Sequence, residues 1–316
     1  MGSSIDVSSL GHGRIPLIEL PLLESASDLR DISASLVNAL QTSGFLLVHS
    51  PSLTYDLQQR SLEVARTILI GENSDERSSK AALRGVVDHP TDPKVYMMIE
   101  SPDDIRNKCG KDSMAAATCL AEYWSALETV KRQVLRCIAI GLELDAEYFV
   151  RLHSKNQSVL RLLHYYQTES EPGEGGSFTI RGKAHSDYGS ITLLLTDGVP
   201  GLQALIDNEW TPVPHVRGAL VVNIGSLLQD WTKGQLLATL HRVVSQGKEM
   251  APRTSLAFFA DPDKDVSTML EETKQSSSDL SVAEYIRWRS GGLGPERSGV
   301  AFSNDEEDRA QQATPG

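Results

Sequence analysis

A chain of 316 residues, 40% hydrophobic and 23% charged, can bury a sizeable core as one large domain or two small ones. Its formal net charge of −12 argues against sequence-independent binding to a phosphate backbone, which needs a basic surface. No apolar run reaches the ~18 residues of a membrane span, and the first residues lack both a signal-peptide core and a myristoylation pattern, since Asp6 stands where Ser or Thr is required.

Residues 1–14 read as a loose leader. Ile15-Pro16-Leu17-Ile18-Glu19-Leu20 reads as a short strand. Ser27-Asp28 then offers an N-cap to a helical stripe of Leu29, Ile32, Leu36, Val37 and Leu40 that stops at Gly44. Phe45-Leu46-Leu47-Val48 is the next buried strand, and Leu57, Val64, Ala65, Ile68 and Leu69 suggest a second helix. Residues 71–113 are polar and have no clear period, with Tyr96-Met97-Met98-Ile99 as their one apolar cluster. Packing or a lid over a substrate would each account for that cluster. The clearest helix spans 114–141, where Leu120, Tyr123, Trp124, Leu127, Val130, Val134 and Ile138 recur at spacings of three and four and Gly141 ends the run. Asp145 can cap a short helix through Tyr148, Phe149 and Val150. The three cysteines, Cys109, Cys119 and Cys137, are odd in number and lack metal spacing, so they read as reduced thiols of a cytoplasmic protein.

From Ser158 onward the pattern is of strands. Val159–Tyr165 is one, a loop follows from Thr168 to Ser177, and Lys183-Ala-His-Ser-Asp-Tyr-Gly-Ser-Ile-Thr-Leu-Leu-Leu195 reads as the next. Gly198–Gly201 turns into another strand, Glu209-Trp210-Thr211-Pro212 closes a hairpin, and Ala219–Ile224 and Arg253–Phe259 add two more. Many short strands punctuated by Gly and Pro imply a sandwich or barrel. After Gln275 one helix is expected around Ala283–Trp288, then a Gly/Ser/Asp/Glu-rich tail expected to be disordered.

The chemistry gathers in the His185 stretch. Residues i and i+2 of a strand share a face, so His185 and Asp187 can chelate one metal ion, and His241, more than fifty positions on, supplies a third ligand. Two His and one carboxylate with open coordination positions form the facial triad of non-haem Fe(II) oxygenases. Taken singly, His185 and His241 would read as barrel histidines satisfied by hydrogen bonds.

His185/Asp187, the distal His241 and Arg253-x-Ser255 about ten residues later resemble the iron- and 2-oxoglutarate-dependent dioxygenase superfamily, in particular its isopenicillin N synthase-like branch. The order strand, helix, Gly44-Phe45, strand is similar to the N-terminal region of that branch. Arg161-Leu-Leu-His-Tyr-Tyr166 resembles its Arg-Leu-Asn-Tyr-Tyr-Pro segment, with Leu163 in place of Asn, a departure also found in fungal-type relatives similar to thymine dioxygenase.

The resemblance implies a mainly β fold with flanking helices: a double-stranded β-helix, or jelly roll, at 155–262. A helical N-terminal region at 15–150 would brace it, and 263–316 would form the C-terminal helix and tail. It implies Fe(2+) on His185, Asp187 and His241. It also implies 2-oxoglutarate held by Arg253, Ser255 and Tyr165, with O2 as the oxidant. Arg253 suits a far carboxylate because its planar fork pairs in bidentate fashion. Related halogenases replace the carboxylate ligand by a small residue. The presence of Asp187 therefore implies hydroxylation, desaturation or ring formation on a small organic molecule, in secondary metabolism, with release of succinate and CO2.

Asn223 and Arg242 match family surroundings as supports. Gly225-Ser226 stands where relatives read Gly-Asp, and Leu237-Ala238 replaces a polar pair common before the distal His. Trp231 and Phe259 can each wall a pocket or simply fill core, and the family's counterpart of 71–113 reaches over the active site. An oxoacid-independent oxidase of the same fold, a non-catalytic jelly-roll binding protein and a Zn2+ hydrolase on the same ligands are the alternatives. No nucleic-acid, membrane or obligate protein partner is expected.

Overall fold

The N-terminal third opens with strand β1 (Leu17–Glu19), helix α1 (Ala26–Thr42), strand β2 (Phe45–His49) and helix α2 (Tyr55–Ile70), as the apolar spacing predicts. In this computed structural model the described residues are 14–21, 26–71, 86–88, 94–109, 113–169, 179–245, 249–268 and 280–289. The leader up to residue 13, the tail from 290 and most of the loop after Thr168 lie outside them. Helix α1 begins at Ala26, before the capping pair, so Ser27 and Asp28 sit in its first turn.

The stretch 71–113 is not an unstructured span. It contains β3 (Val86–Asp88), β4 (Lys94–Ile99) and helix α3 (Pro102–Cys109). Strand β4 shows why the segment was hard to read: Val95, Met97 and Ile99 are fully buried while Lys94, Tyr96 and Met98 alternate with them on the other face. It is a wall strand, half core and half cavity.

The long helix α4 (Met114–Gly141) and the one-turn α5 (Tyr148–Arg151) follow as expected. Then come β5 (Val159–Tyr165), β6 (Thr168–Glu169), β7 (Thr179–His185), β8 (Ile191–Thr196), β9 (Leu202–Ile206), β10 (Glu209–Pro212) and β11 (Ala219–Ile224). Helix α6 (Ser226–Trp231), β12 (His241–Ser245), β13 (Glu249–Met250), β14 (Arg253–Ala260) and α7 (Val282–Arg289) complete the chain. The expectation of one strand through His185 and Leu195 is corrected here. β7 ends at His185, residues 186–190 form a bend, and β8 starts anew in the other sheet. Gly189-Ser190 breaks the alternation, so Asp187 stands on a bend rather than beside His185 along one strand.

Eight strands form the major sheet in the order β1-β2-β11-β8-β14-β5-β4-β3, and four form the minor sheet, β10-β9-β12-β7. Packed face to face, they make the jelly roll. Asp207 and Asn208, both at positive φ (52° and 63°), turn β9 into β10, the backbone that tight hairpins need. Strand period 2 divides the major sheet between two environments. Leu193, Leu195, Leu256, Phe258, Leu160 and Leu162 face the helices and are at most 2% exposed. Trp124 of α4 meets Phe258 edge to face at 5.1 Å. Each such fully buried side chain contributes ~1.5–3 kcal/mol relative to exposure. The opposite face carries Thr192, Asn223, Ser255 and Arg253, so the polar residues of the major sheet look toward the minor sheet.

A smaller apolar cluster of Phe45, Leu47, Leu202, Ala204, Ile206 and Val221 seals one end between the sheets. Gly44 sets this corner. It has φ +69°, and a Cβ there would lie 2.2 Å from the Leu237 carbonyl oxygen. Ser43 O accepts from Thr239 Oγ1 at 2.7 Å and Leu40 O from the Leu237 amide at 3.2 Å. The α1–β2 turn therefore holds the loop that leads into β12 and His241. His153, 3% exposed, performs a similar service for the bend before β8: its Nδ1 donates to the Phe149 carbonyl at 2.7 Å and its Nε2 accepts from Ser190 Oγ at 3.1 Å.

Gly44→Ala is expected to lower unfolding free energy by about 2–4 kcal/mol in chemical denaturation, since it combines positive-φ strain with a backbone clash. Burial pushes the His153 pKa down to about 4 from 6.5. The unfolded chain thus binds a proton before the folded one does, and stability is lost as pH falls through 6.5 toward 4. Between pH 7 and 5 the wild type should lose about 2 kcal/mol more stability than His153→Gln, measured by urea unfolding at the two pH values.

Candidate metal centre and oxoacid pocket

β7 delivers His185 at its last residue, and its antiparallel neighbour β12 places His241 directly opposite. The two rings lie 4.4 Å apart. Asp187 enters from the bend that carries the chain across to the major sheet. Its Oδ1 lies 3.8 Å from Nε2 of each histidine, and the three ligand atoms are all within 4.8 Å of one another. Among the described residues this is the one group of three or more His, Cys, Asp or Glu side chains close enough to share an ion.

The surroundings aim these atoms. Each histidine donates through Nδ1 to a backbone carbonyl, His185 to Lys183 O at 2.8 Å and His241 to Thr239 O at 3.2 Å. A carbonyl only accepts, so the proton sits on Nδ1 and the Nε2 lone pair is free to ligate. Burial, and next the charge of His185, push His241 down to about 4, which keeps it neutral near pH 7. Burial opposes ionisation of Asp187, yet its carboxyl lies below the usual range because the two imidazoles and two hydrogen bonds favour the anion. Those bonds come from Thr192 Oγ1 and from Asn223 Nδ2, the latter at 2.7 Å, and both go to Oδ2. Oδ1 is left facing the histidines. Two imidazoles and a carboxylate with converging ligand atoms fit a divalent first-row metal ion. Phe45 stacks edge-on against His241 at 5.6 Å and shields its other side.

A cavity of about 470 Å³ opens between the sheets from this point, and all six residues singled out in the sequence line it. Registers order them. Thr192 and Asn223 are paired, with Phe259 beside Thr192, at the metal end. Ser255 opposite Leu163, and Arg253 opposite Tyr165, lie toward the far end. Arg253 is 2% exposed, and its Nη1 donates to Ser255 Oγ at 3.2 Å. Its Nε is buried without an acceptor. Burial lowers its pKa, but a guanidinium stays charged in proteins. A buried cation with unused donors at the closed end of a cavity fits a dicarboxylate whose other end reaches the metal. Tyr165 lies beneath the same cation, 5.9 Å from guanidinium to ring centre.

Other expectations sort cleanly. Phe259 lines the cavity, but Trp231 does not: it is packed in the core and its Nε1 donates to Thr268 O at 3.1 Å. Ser226 offers no carboxylate, but its amide and hydroxyl both donate to Asp187 O, at 2.8 and 3.0 Å, so it anchors the bend by its backbone. Arg242 is a support, with Nε on Gln203 Oε1 at 2.9 Å and its guanidinium 4.0 Å from the Trp210 ring centre.

Sequence reasoning missed Thr192, whose only signal is that it is the polar residue between Ile191 and Leu193. It also missed Asp197, whose side chain is 5% exposed and accepts from the Thr254 amide at 2.7 Å and from Arg66 of α2 at 3.2 Å. That network fastens α2 to the strand bearing Arg253. Lys94, Tyr96 and Arg161 complete the cavity wall.

Residues 157–262 match the family model described as the 2OG-Fe(II) oxygenase superfamily. The chain is 32% identical over 209 residues to the 2-oxoglutarate-dependent dioxygenase frbA of a Dothideomycetidae species, covering 62% of this chain and 58% of that one. It is 30% identical over 243 residues to 1-aminocyclopropane-1-carboxylate oxidase homolog 1 of Arabidopsis thaliana, covering 72% and 60%. It therefore spans about three-fifths of the length of each of these relatives. Among solved structures it is similar to a full-length Neurospora crassa protein in complex with alpha-KG and 5-formyluracil, at 25% identity and TM-score 0.72 over 87% of this chain and 95% of that one. The strands that carry the triad and Arg253 are the ones the family model covers, and it is through residues 157–262 that the chain is similar to the 2OG-Fe(II) oxygenase superfamily.

Proposed function

We propose that the protein is an iron- and 2-oxoglutarate-dependent dioxygenase that oxidises, in the first instance hydroxylates, a C–H bond of a small organic molecule. The observation that carries this reading is the convergence of His185 Nε2, His241 Nε2 and Asp187 Oδ1 at one end of a cavity whose other end holds buried Arg253. Ferrous iron and 2-oxoglutarate, when bound, supply the oxidising chemistry: with O2 the oxoacid loses CO2 to leave succinate, and one oxygen atom goes to the substrate C–H bond.

The chain's own part is positioning and exclusion. His185, Asp187 and His241 would hold the metal through their three converging ligand atoms. Arg253 and Ser255 grip the far carboxylate of the oxoacid, and Tyr165 closes that end. Thr192 and Asn223 keep Asp187 ionised and correctly turned, and Phe45 and Phe259 keep the metal end apolar. A small molecule, and not a nucleic acid, is the substrate we infer, given the net charge of −12. A cytoplasmic setting agrees with three buried thiols, Cys109, Cys119 and Cys137.

Adding Fe(II) and then 2-oxoglutarate without oxygen should raise a weak visible absorption band, and admitting air should yield succinate and CO2. Asp187→Ala should abolish the band. Arg253→Gln should keep the metal but raise the 2-oxoglutarate concentration for half-saturation about 10- to 100-fold, as loss of a charged hydrogen-bonded pair predicts. Oxidation of substrate without succinate would instead identify an oxidase that needs no oxoacid.

A further inference from the structure

Once its metal and cosubstrate are counted, the cavity has positive charge to spare. Its lining includes Lys94, Arg161, Lys183 and Arg253, against one acidic side chain, Asp187. On the oxygenase reading, a divalent ion and Arg253 are balanced by Asp187 together with the two carboxylates of the oxoacid. Lys94 pairs in register with Tyr165, which in turn faces Arg253, so it belongs to the oxoacid end. Arg161 and Lys183 remain.

Arg161 lies opposite Ala257 on β14, between the level of Ser255 and that of Phe259. Its guanidinium is stacked on Tyr96 of β4, 4.8 Å from the ring centre. Its Nε is buried without an acceptor, and among the described residues no carboxylate pairs with it. The contrast with two buried arginines lies in the terminal donors. Arg242 has Gln203 and Trp210, and Arg181, whose Nε also lacks an acceptor, gives Nη1 and Nη2 to the carbonyls of Ala251 and Tyr166 at 2.8 and 2.9 Å. Those two are fastened in place, whereas Arg161 is held flat by an aromatic face with its donors unspent. A sheltered polar group without a partner is unfavourable, and an aromatic stack is how an arginine is preorganised for a planar anion. Lys183 comes from the facing sheet, two residues before His185, is exposed, and has no ion pair among the described residues.

We propose that the substrate is a small organic acid, its carboxylate received by Arg161 on the Tyr96 platform with Lys183 approaching from the minor sheet. This inference rests on the oxygenase reading and names its substrate class. Gripped there, the acid is anchored on the β4–β5 wall and its carbon skeleton extends toward the open face of the triad. Arg161 and Lys183 thus set specificity, while Arg253 serves the cosubstrate.

Saturation-transfer NMR tests this on the anaerobic full chain with ferrous iron and 2-oxoglutarate, using a panel of small aliphatic and aromatic carboxylic acids, each matched with its methyl ester. Acids should bind and esters should not. Arg161→Gln should weaken acid binding about 10- to 100-fold and Arg161→Lys should recover part of the loss, with 2-oxoglutarate affinity held within about twofold throughout. A visible band that forms while esters bind as well as acids, or while Arg161→Gln binds acids like the wild type, overturns the substrate class and leaves the oxygenase reading standing. Absence of the band in the wild type strikes both.

Discussion

Asp187 divides its two carboxylate oxygens between two tasks, and the rest of the site is arranged around that division. Oδ2 is taken by Thr192 and Asn223, residues paired across β8 and β11 of the major sheet. Oδ1 is thereby turned toward the histidines of the minor sheet. The carboxylate is a physical link between the two layers: its hydrogen bonds belong to one and its ligand atom faces the other. Without such a link, the sheets would set the histidines and the cavity wall independently, and a coordination geometry that tolerates only small errors would depend on the packing of distant apolar groups.

The inner face of the major sheet reads as a sequence of chemical levels along its strands. Phe259, Thr192 and Asn223 mark the metal level, Ala257 and Arg161 the next, Ser255 and Leu163 the next, and Arg253 with Tyr165 the last. Because adjacent strands are locked in register, a shift of one residue in β14 would turn Arg253 and Ser255 to the helical side and bring Thr254 inward. Thr254 is held on that side by Arg66 and His164, at 3.1 and 2.9 Å, and its amide by Asp197. The polar network behind the sheet thus fixes which side chains appear in front of it.

The metal ligands and Arg253-x-Ser255 were legible because their chemistry is tied to spacing, and spacing survives in a sequence whatever the fold around it. The helices were legible for a similar reason, since α4 repeats its apolar residues at helical spacing along its whole length. What was hidden depends on pairing between distant strands. Thr192 is a hydroxyl among Ile and Leu until β8 and β11 align it, beside Asn223, on Asp187. Lys94 and the apolar cluster that starts at Tyr96 have no assigned place until β4 joins β5, and the alternation that resumes at Ile191 hides the bend at 186–190. Trp231, for which pocket wall and core were both open readings, proves to be core, its indole committed to the Thr268 carbonyl.

The strand order has a consequence for what can be separated from what. In the major sheet, β2 lies beside β11 and β4 lies beside β5, so strands from before residue 100 flank both sides of those contributed by 157–262. Cut away from its neighbours, the matched stretch would expose two long rows of unpaired backbone amides and carbonyls together with a bare apolar face, a surface that invites intermolecular pairing. The segment that defines kinship is therefore not a unit of folding, and grafting or excising this chemistry would require carrying the first hundred residues with it.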